Sequence, residues 1–255
     1  MNNALAIYRK ELYSYFRSPI AYGVMTFFAL IAGYFFYVAV VFFVQYSIQA
    51  SMQGQSQPMS VNDSVIRPLL GNFSVIGLFL IPMITMRLFA EEKRAGTIEL
   101  LATSPVRDWE IIAGKWLSAL TLWAAMLGIT LISMAMLFIY GKPDWRPLLV
   151  GYLGLLLQGG TLLALGTFIS TTTKNQIVAG VGGFGVCLLL WVLDWMSSFQ
   201  DSAVGKVVSY LSVLQHFDSF SKGVFDLKDV IYYVSAIFIG LFLTARSLEA
   251  FRWRS

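Results

Sequence analysis

The chain has 255 residues, 57% of them hydrophobic and only 13% charged, with a net charge of +4. A soluble globular chain carries about 25% charged residues because its surface must face water, so most of the outer surface here is not aqueous. That excludes an ordinary soluble enzyme, a disordered chain and a nucleic-acid-binding domain, and the basic excess reads as Lys and Arg flanking membrane spans.

From Asn2 to Arg17 the apolar residues Leu5, Tyr8, Leu12 and Tyr15/Phe16 keep helical spacing, with Arg9, Lys10 and Glu11 elsewhere on the wheel. This predicts an interfacial helix over 1–17 on the inner leaflet, broken from the first span at Ser18-Pro19. A membrane helix needs about 20 mostly apolar residues to cross about 30 Å of hydrocarbon. The first uncharged run, Ser18 to Asn62, is densest from Ile20 to Val44. It exceeds a signal-peptide core and lacks a small-residue cleavage site, so an uncleaved span is expected. Gln45–Leu70 reads as a flexible external loop. Further uncharged runs give spans at about 68–86, 116–140, 147–170, 175–196 and 230–248. The result is one membrane domain over 1–255 with six helices and no barrel pattern. Pro82 is expected to kink the second span. Twelve of the 18 Lys and Arg residues fall on one side, which predicts that both termini are cytoplasmic.

Between the second and third spans, Arg87 and Glu91 stand four apart, so the second span is expected to continue as a helix past the membrane surface. Gly96 breaks it, and Thr97 can cap a short helix, Ile98 to Ala102. Ser104 and Pro105 then start the next helix. The apolar side of the short helix can pack on this chain's own helices or dock into a cytoplasmic partner; both readings stay open. In the external stretch Ser197–Asp229, two short amphipathic helices are expected, one through Val204–Leu214 and one through Phe217–Phe225, with His216 between them. The only histidine and the only cysteine, Cys187, argue against a metal centre and an internal disulfide. His216 reads as a structural hydrogen-bonder.

Inside the spans, Gly180-Val-Gly-Gly-Phe-Gly185 matches G-x-G-x-x-G but follows no strand, so close helix packing through Ala179 and Gly183 explains it better than a dinucleotide site. No G-x-x-x-x-G-K-[ST] motif occurs, so nucleotide hydrolysis is not expected of this chain. Gln158 reads as an interhelical hydrogen bond, and Asp194, flanked by Trp191 and Trp195, as an ionised group at the outer edge.

Several segments carry a family resemblance: Arg9-Lys-Glu-Leu12, Ser18-Pro-Ile-Ala21, Met86-Arg-Leu-Phe-Ala-Glu-Glu-Lys-Arg-Ala-Gly-Thr-Ile-Glu-Leu-Leu101, Thr103-Ser-Pro-Val106 and Gly114-Lys115. Together they resemble type-2 ABC exporter permeases. Thr173-Lys-Asn-Gln-Ile177 and the tail from His216 through Asp226 to Asp229-Val-Ile-Tyr-Tyr233 look closest to the gliding-motility ABC permease (F-subunit) branch. The resemblance implies an all-α, six-helix transmembrane permease domain with an N-terminal elbow helix, a cytoplasmic coupling helix and outer re-entrant helices. It implies an export permease, multi-pass in the bacterial cytoplasmic (inner) membrane; the branch does not fix the substrate, and the apolar, charge-poor spans favour a lipid-like, glycan-linked or amphipathic cargo over a small ion. The implied partners are membrane lipids, a cytoplasmic ABC ATPase that binds ATP and Mg, and a second permease subunit in a homodimer, with room for a periplasmic-facing auxiliary subunit. The coupling residues are then Glu91, Glu92, Arg94, Gly96, Thr97, Ile98, Glu99, Leu100 and Leu101, and no catalytic, cofactor or metal residue is expected on this chain. A membrane anchor or mechanotransmission subunit that does not transport is the alternative.

Overall fold

Uncharged runs of this length must satisfy their backbone groups internally once out of water, and the helix does so within one segment. The computed structural model describes residues 3–52, 60–98, 106–141, 143–196 and 210–252. Helix α1 (Asn3–Arg17) stops at Ser18, whose Oγ accepts the Ile20 N–H at 3.3 Å and so caps α2 (Pro19–Met52), with Pro19 at its first position. A π-turn, Asn62–Ile66, leads into α3 (Arg67–Thr85), and a short helix α4 (Ala90–Ala95) comes after it. Then come α5 (Asp108–Gly141), α6 (Trp145–Thr172), α7 (Gln176–Met196), the short α8 (Val213–Ser221) and α9 (Leu227–Arg252).

Among the described residues, six stretches are long and apolar enough to cross a membrane: Pro19–Met52, Asn62–Ala95, Asp108–Gly141, Trp145–Thr172, Gln176–Asp194 and Leu227–Phe251. The protein is therefore an all-α, multi-pass membrane fold. The ends of α1, α4 and α9, with the α6–α7 turn, share one end of the bundle, the terminal end. The far end carries the π-turn, the α5–α6 connection and α8.

Two spans make the centre. The apolar stretch of the second span, built on α3, is 72% buried and that of α6 61%, against 11% for α2 and 17% for α7. Glycines explain how closely α6 is approached. A side chain at Gly151 would strike Leu70, at Gly159 Trp123, and at Gly166 Thr85. Trp123 fills that gap, and its indole N–H donates to the Leu155 carbonyl at 3.1 Å. Gln158 is held between helices as expected: Ser74 Oγ donates to its Oε1 at 2.9 Å. The α7 glycines also pack as expected, with a side chain at Gly183 within 3.5 Å of Pro82 and one at Gly180 within 3.2 Å of Met86 Sδ.

Two expectations at the far end are corrected. The region read as a flexible loop is partly helical, because α2 runs to Met52 and helix resumes at Asn62; residues 53–59 lie outside the described residues. Asn62 is fixed by exchanging hydrogen bonds with the Asp144 backbone, at 3.1 and 3.2 Å. His216 does not separate two short helices. It lies inside α8, which ends at Ser221 because Gly223 turns the chain at φ +76°. Phe217 and Phe220 are buried beneath α8 while Val224 and Phe225 are exposed beyond it. The first expected helix, from Val204, falls mostly outside the described residues.

Candidate functional site

The site is built where the second span leaves the bundle at the terminal end. A continuous helix through this point was expected, but the structure interrupts it from Met86 to Phe89. Ser170 of α6 supplies the reason. Its Oγ accepts the N–H groups of Phe89 and Ala90 at 3.0 and 3.1 Å and donates to the Met86 carbonyl at 3.3 Å. One buried hydroxyl therefore ends one helix and starts the next, filling the cap position that Phe89's own side chain cannot. Across the break, Arg87 Nε still reaches Glu91 at 3.0 Å, the pair that the four-residue spacing predicts.

Beneath α4 lies a buried cation. Lys115 of α5 is 2% exposed, and its ammonium donates to Glu11 Oε1 of α1 at 3.0 Å, to the Leu88 carbonyl at 2.8 Å and to Glu92 Oε1 of α4 at 2.8 Å. Those three acceptors use all the protons an ammonium offers, and the Phe89 ring stands 5.2 Å from Nζ. A buried ion is tolerated only when it is paired and its remaining donors are filled. Two carboxylates meet one ammonium, and Glu92 Oε2 has no hydrogen-bond partner among the described residues.

Helix α1 is drawn in by the same cluster. It lies along the first turns of α5, where a side chain at Gly114 would meet the Ala4 carbonyl at 2.8 Å, and Tyr8 hydrogen-bonds Thr121 at 3.1 Å. On the other flank, Lys93 donates to the Thr171 carbonyl and stands 4.6 Å from the Phe251 ring of α9. Thr171 in turn bonds Ser247 at 2.8 Å. The short helix is thus tied to α1, α5, α6 and α9.

The face it turns outward is polar and exposed: Glu91, Arg94, Ala95, Gly96 and Thr97. Gly96 closes α4 in the left-handed region at φ +71°, and Thr97 sends both its N–H, at 3.1 Å, and its hydroxyl, at 3.4 Å, back to the Glu92 carbonyl. Thr97 therefore serves the end of α4; helix resumes at Ile98, and the rest of the short helix that the sequence has Thr97 cap lies outside the described residues. Ile98 is 5% exposed, covered by this chain itself. Glu99, Leu100 and Leu101 lie outside the described residues.

Of the coupling residues named from the sequence, the structure brings Glu91, Glu92, Arg94, Gly96 and Thr97 onto one short unit. Sequence reasoning missed Glu11 and Ser170 and saw Lys115 only as the end of a Gly-Lys motif. The available signal was a lone lysine at the head of a long uncharged run, which needs a carboxylate from elsewhere. Among the described residues this arrangement presents a charged rim on a base tied to four helices.

The profile described as ABC-2 family transporter protein matches residues 5–245. Two curated relatives, both named "Probable multidrug ABC transporter permease YbhR", come from Escherichia coli strains K12 and O157:H7. Each is 25% identical over 167 residues, covering 65% of this chain and 44% of the relative. The chain thus spans under half the length of these relatives. With six apolar helices among the described residues and the family profile over nearly the whole chain, this protein belongs to the ABC-2 family of transporter proteins and is one of its multi-pass membrane permeases.

Proposed function

We propose that the chain is the membrane subunit of an ATP-driven export complex in a bacterial inner membrane. A separate cytoplasmic ABC ATPase binds ATP and Mg and docks at the terminal end, on the exposed side of α4 and the segment through Leu101. The observation that carries this reading is the rigid mounting of α4: a charged, solvent-facing unit tied to four helices by Lys115, Ser170 and Lys93. A push on such a unit reaches the spans instead of dissipating in a loop. The cargo is lipid-like, glycan-linked or amphipathic, in keeping with the apolar, charge-poor spans and with the name of the relatives. Two permease subunits related by a two-fold axis enclose the pathway. The sparsely buried α2 and α7 supply their contacts and the surface facing lipid. The tail residues from His216 to Tyr233 favour the gliding-motility branch, which does not fix the cargo.

The test is reconstitution of the chain with a candidate ABC ATPase and measurement of cargo-stimulated ATP hydrolysis. Leu100→Ala and Leu101→Ala should weaken ATPase binding more than Lys93→Ala, because truncating a buried interface anchor commonly costs about 2 kcal/mol or more and a rim charge less. If well-folded Leu100→Ala and Leu101→Ala proteins keep full binding and coupled turnover, the docking assignment is wrong. Single cysteines fix the orientation: one at Val224 should label from outside and one at Ala95 should not.

A further inference from the structure

At the far end, His216 is held by two acceptors at once. Its Nδ1 is 2.7 Å from Asp229 Oδ1 at the start of α9, and its Nε2 is 3.0 Å from the Tyr210 carbonyl. Histidine and aspartate side chains are 6% and 7% exposed. A carbonyl oxygen can only accept, so a hydrogen bond here requires a proton on Nε2. The contact between Nδ1 and Oδ1 needs a second proton, whichever of the two atoms holds it. A neutral imidazole beside an ionised Asp229 has only one to give. Losing a proton therefore leaves a ring-nitrogen lone pair facing an oxygen lone pair, and one of the two contacts must open.

The surroundings make that loss consequential. The Tyr232 ring stacks on the imidazole at 3.8 Å, and the Tyr210 and Tyr233 rings stand edge-on at 5.2 and 6.4 Å. Asp229 Oδ2 is buried with no hydrogen-bond partner among the described residues. Other charges near α8 are engaged elsewhere. Arg67 of α3 and Lys222 both bind Asp218. Asp194 of α7 accepts the Ser212 hydroxyl at 3.3 Å. Lys228 of α9 lies 5.3 Å from the Tyr210 ring. On α6 the neighbour is Gly154, against Phe217 and Phe220, with no charge.

We propose that the His216–Asp229 pair is a proton-operated clasp: protonated, it holds both the Tyr210 carbonyl and the head of α9, and on deprotonation it keeps the charge-assisted contact to Asp229 and lets the segment at Tyr210 go. The closed geometry contains one proton more than the deprotonated pair, so closure is favoured at lower pH and lost as pH rises; the window to scan is about pH 5 to 8, where free imidazole changes charge. Among the described residues, Tyr232 Oη to the Leu211 carbonyl at 2.9 Å, Tyr233 Oη to the Val213 carbonyl at 2.7 Å and the Ser212 hydroxyl to Asp194 still restrain the segment. The clasp does not depend on the docking assignment at the other end.

His216 is the only histidine in the chain, so ring-nitrogen NMR of histidine-labelled protein reports it without ambiguity. The experiment uses the full chain with a histidine-free tag in phospholipid nanodiscs. A proton should leave the ring pair in one transition inside the window. Over the same range, exchange protection of the amides from Leu211 to His216, normalised to the intrinsic rate, should fall by up to about tenfold per pH unit as the pH rises toward the transition and level off above it. In His216→Gln, which cannot titrate, protection should be flat with pH. Should His216→Gln fail to fold, Asp229→Asn takes its place and should abolish or move the transition. Ring nitrogens that keep one protonation state across the window, protection that falls equally in His216→Gln, or a transition unmoved in Asp229→Asn would overturn the proposal.

Discussion

Each end of the bundle fastens a short helix to the long ones, but with different chemistry. At the terminal end α4 is held by an ammonium whose three protons all find acceptors on three different elements. At the far end α8 is held by an imidazole, which has two protons at most and gives up one easily, and by a carboxylate shared between Arg67 and Lys222. Burial alone would raise the Asp218 carboxyl; hydrogen bonds and charge from Lys222 and Arg67 outweigh it and hold the group below its ordinary range. The lesson is one of donor arithmetic. The terminal end keeps one geometry because every donor is used, whereas the far end depends on which protons are present.

The sharpest way to break this contrast is to remove the lysine. Lys115→Met should cost about 3–5 kcal/mol, the usual consequence of stranding buried partners, read as a large fall in the thermal unfolding midpoint. Adding Glu92→Gln should recover part of that loss. Ser170→Ala comes next. It leaves the Phe89 and Ala90 amides without their acceptor, at a cost of about 1–3 kcal/mol, and exchange of those amides should speed up while α8 is unaffected. Gly96→Ala should cost about 1 kcal/mol, because a side chain is strained at positive φ, measurable as a smaller midpoint shift. The smallest effect belongs to Asp218. Its tie is fully present at neutral pH and is lost as pH falls below the ordinary aspartate range of about 3.9. Asp218→Asn should therefore weaken the α3–α8 contact at neutral pH and remove its acid sensitivity, with only a slight change in overall stability since the pair is about half exposed. If α4 and α8 respond alike to acid, the contrast fails.

Much of this architecture was legible in the sequence, and what was missed has a common cause. Six apolar runs gave the spans, because in lipid a helix is a local solution. Arg87–Glu91 and the Gly96 turn were legible for the same reason: their geometry is set within a few residues. Even the Gln158 bond to Ser74 could be anticipated, since a mid-span amide needs a partner. The break at Met86–Phe89 could not be seen, because its cap comes from Ser170 on a different helix. Lys115 likewise meets Glu11 and Glu92 only after folding. His216 looked like a residue between helices because the apolar spacing around it changes phase there; burial of Phe217 and Phe220 under α8 decides otherwise. Long-range polar contacts, not helix content, were the illegible part.

The glycines of α6 have a mechanical consequence. At Gly151, Gly154, Gly159 and Gly166 the bare backbone receives Leu70, Phe220, Trp123 and Thr85, each in its own notch. A rod keyed in this way cannot roll about its axis or slip by one residue without driving a neighbour's side chain into a peptide plane. Helices α3, α5 and α6 are therefore keyed to one another as one piece, while α2 and α7, whose apolar stretches are far less buried, are held at fewer points: Phe28 against Phe73 and Trp123, and Gly180 and Gly183 against Met86 and Pro82.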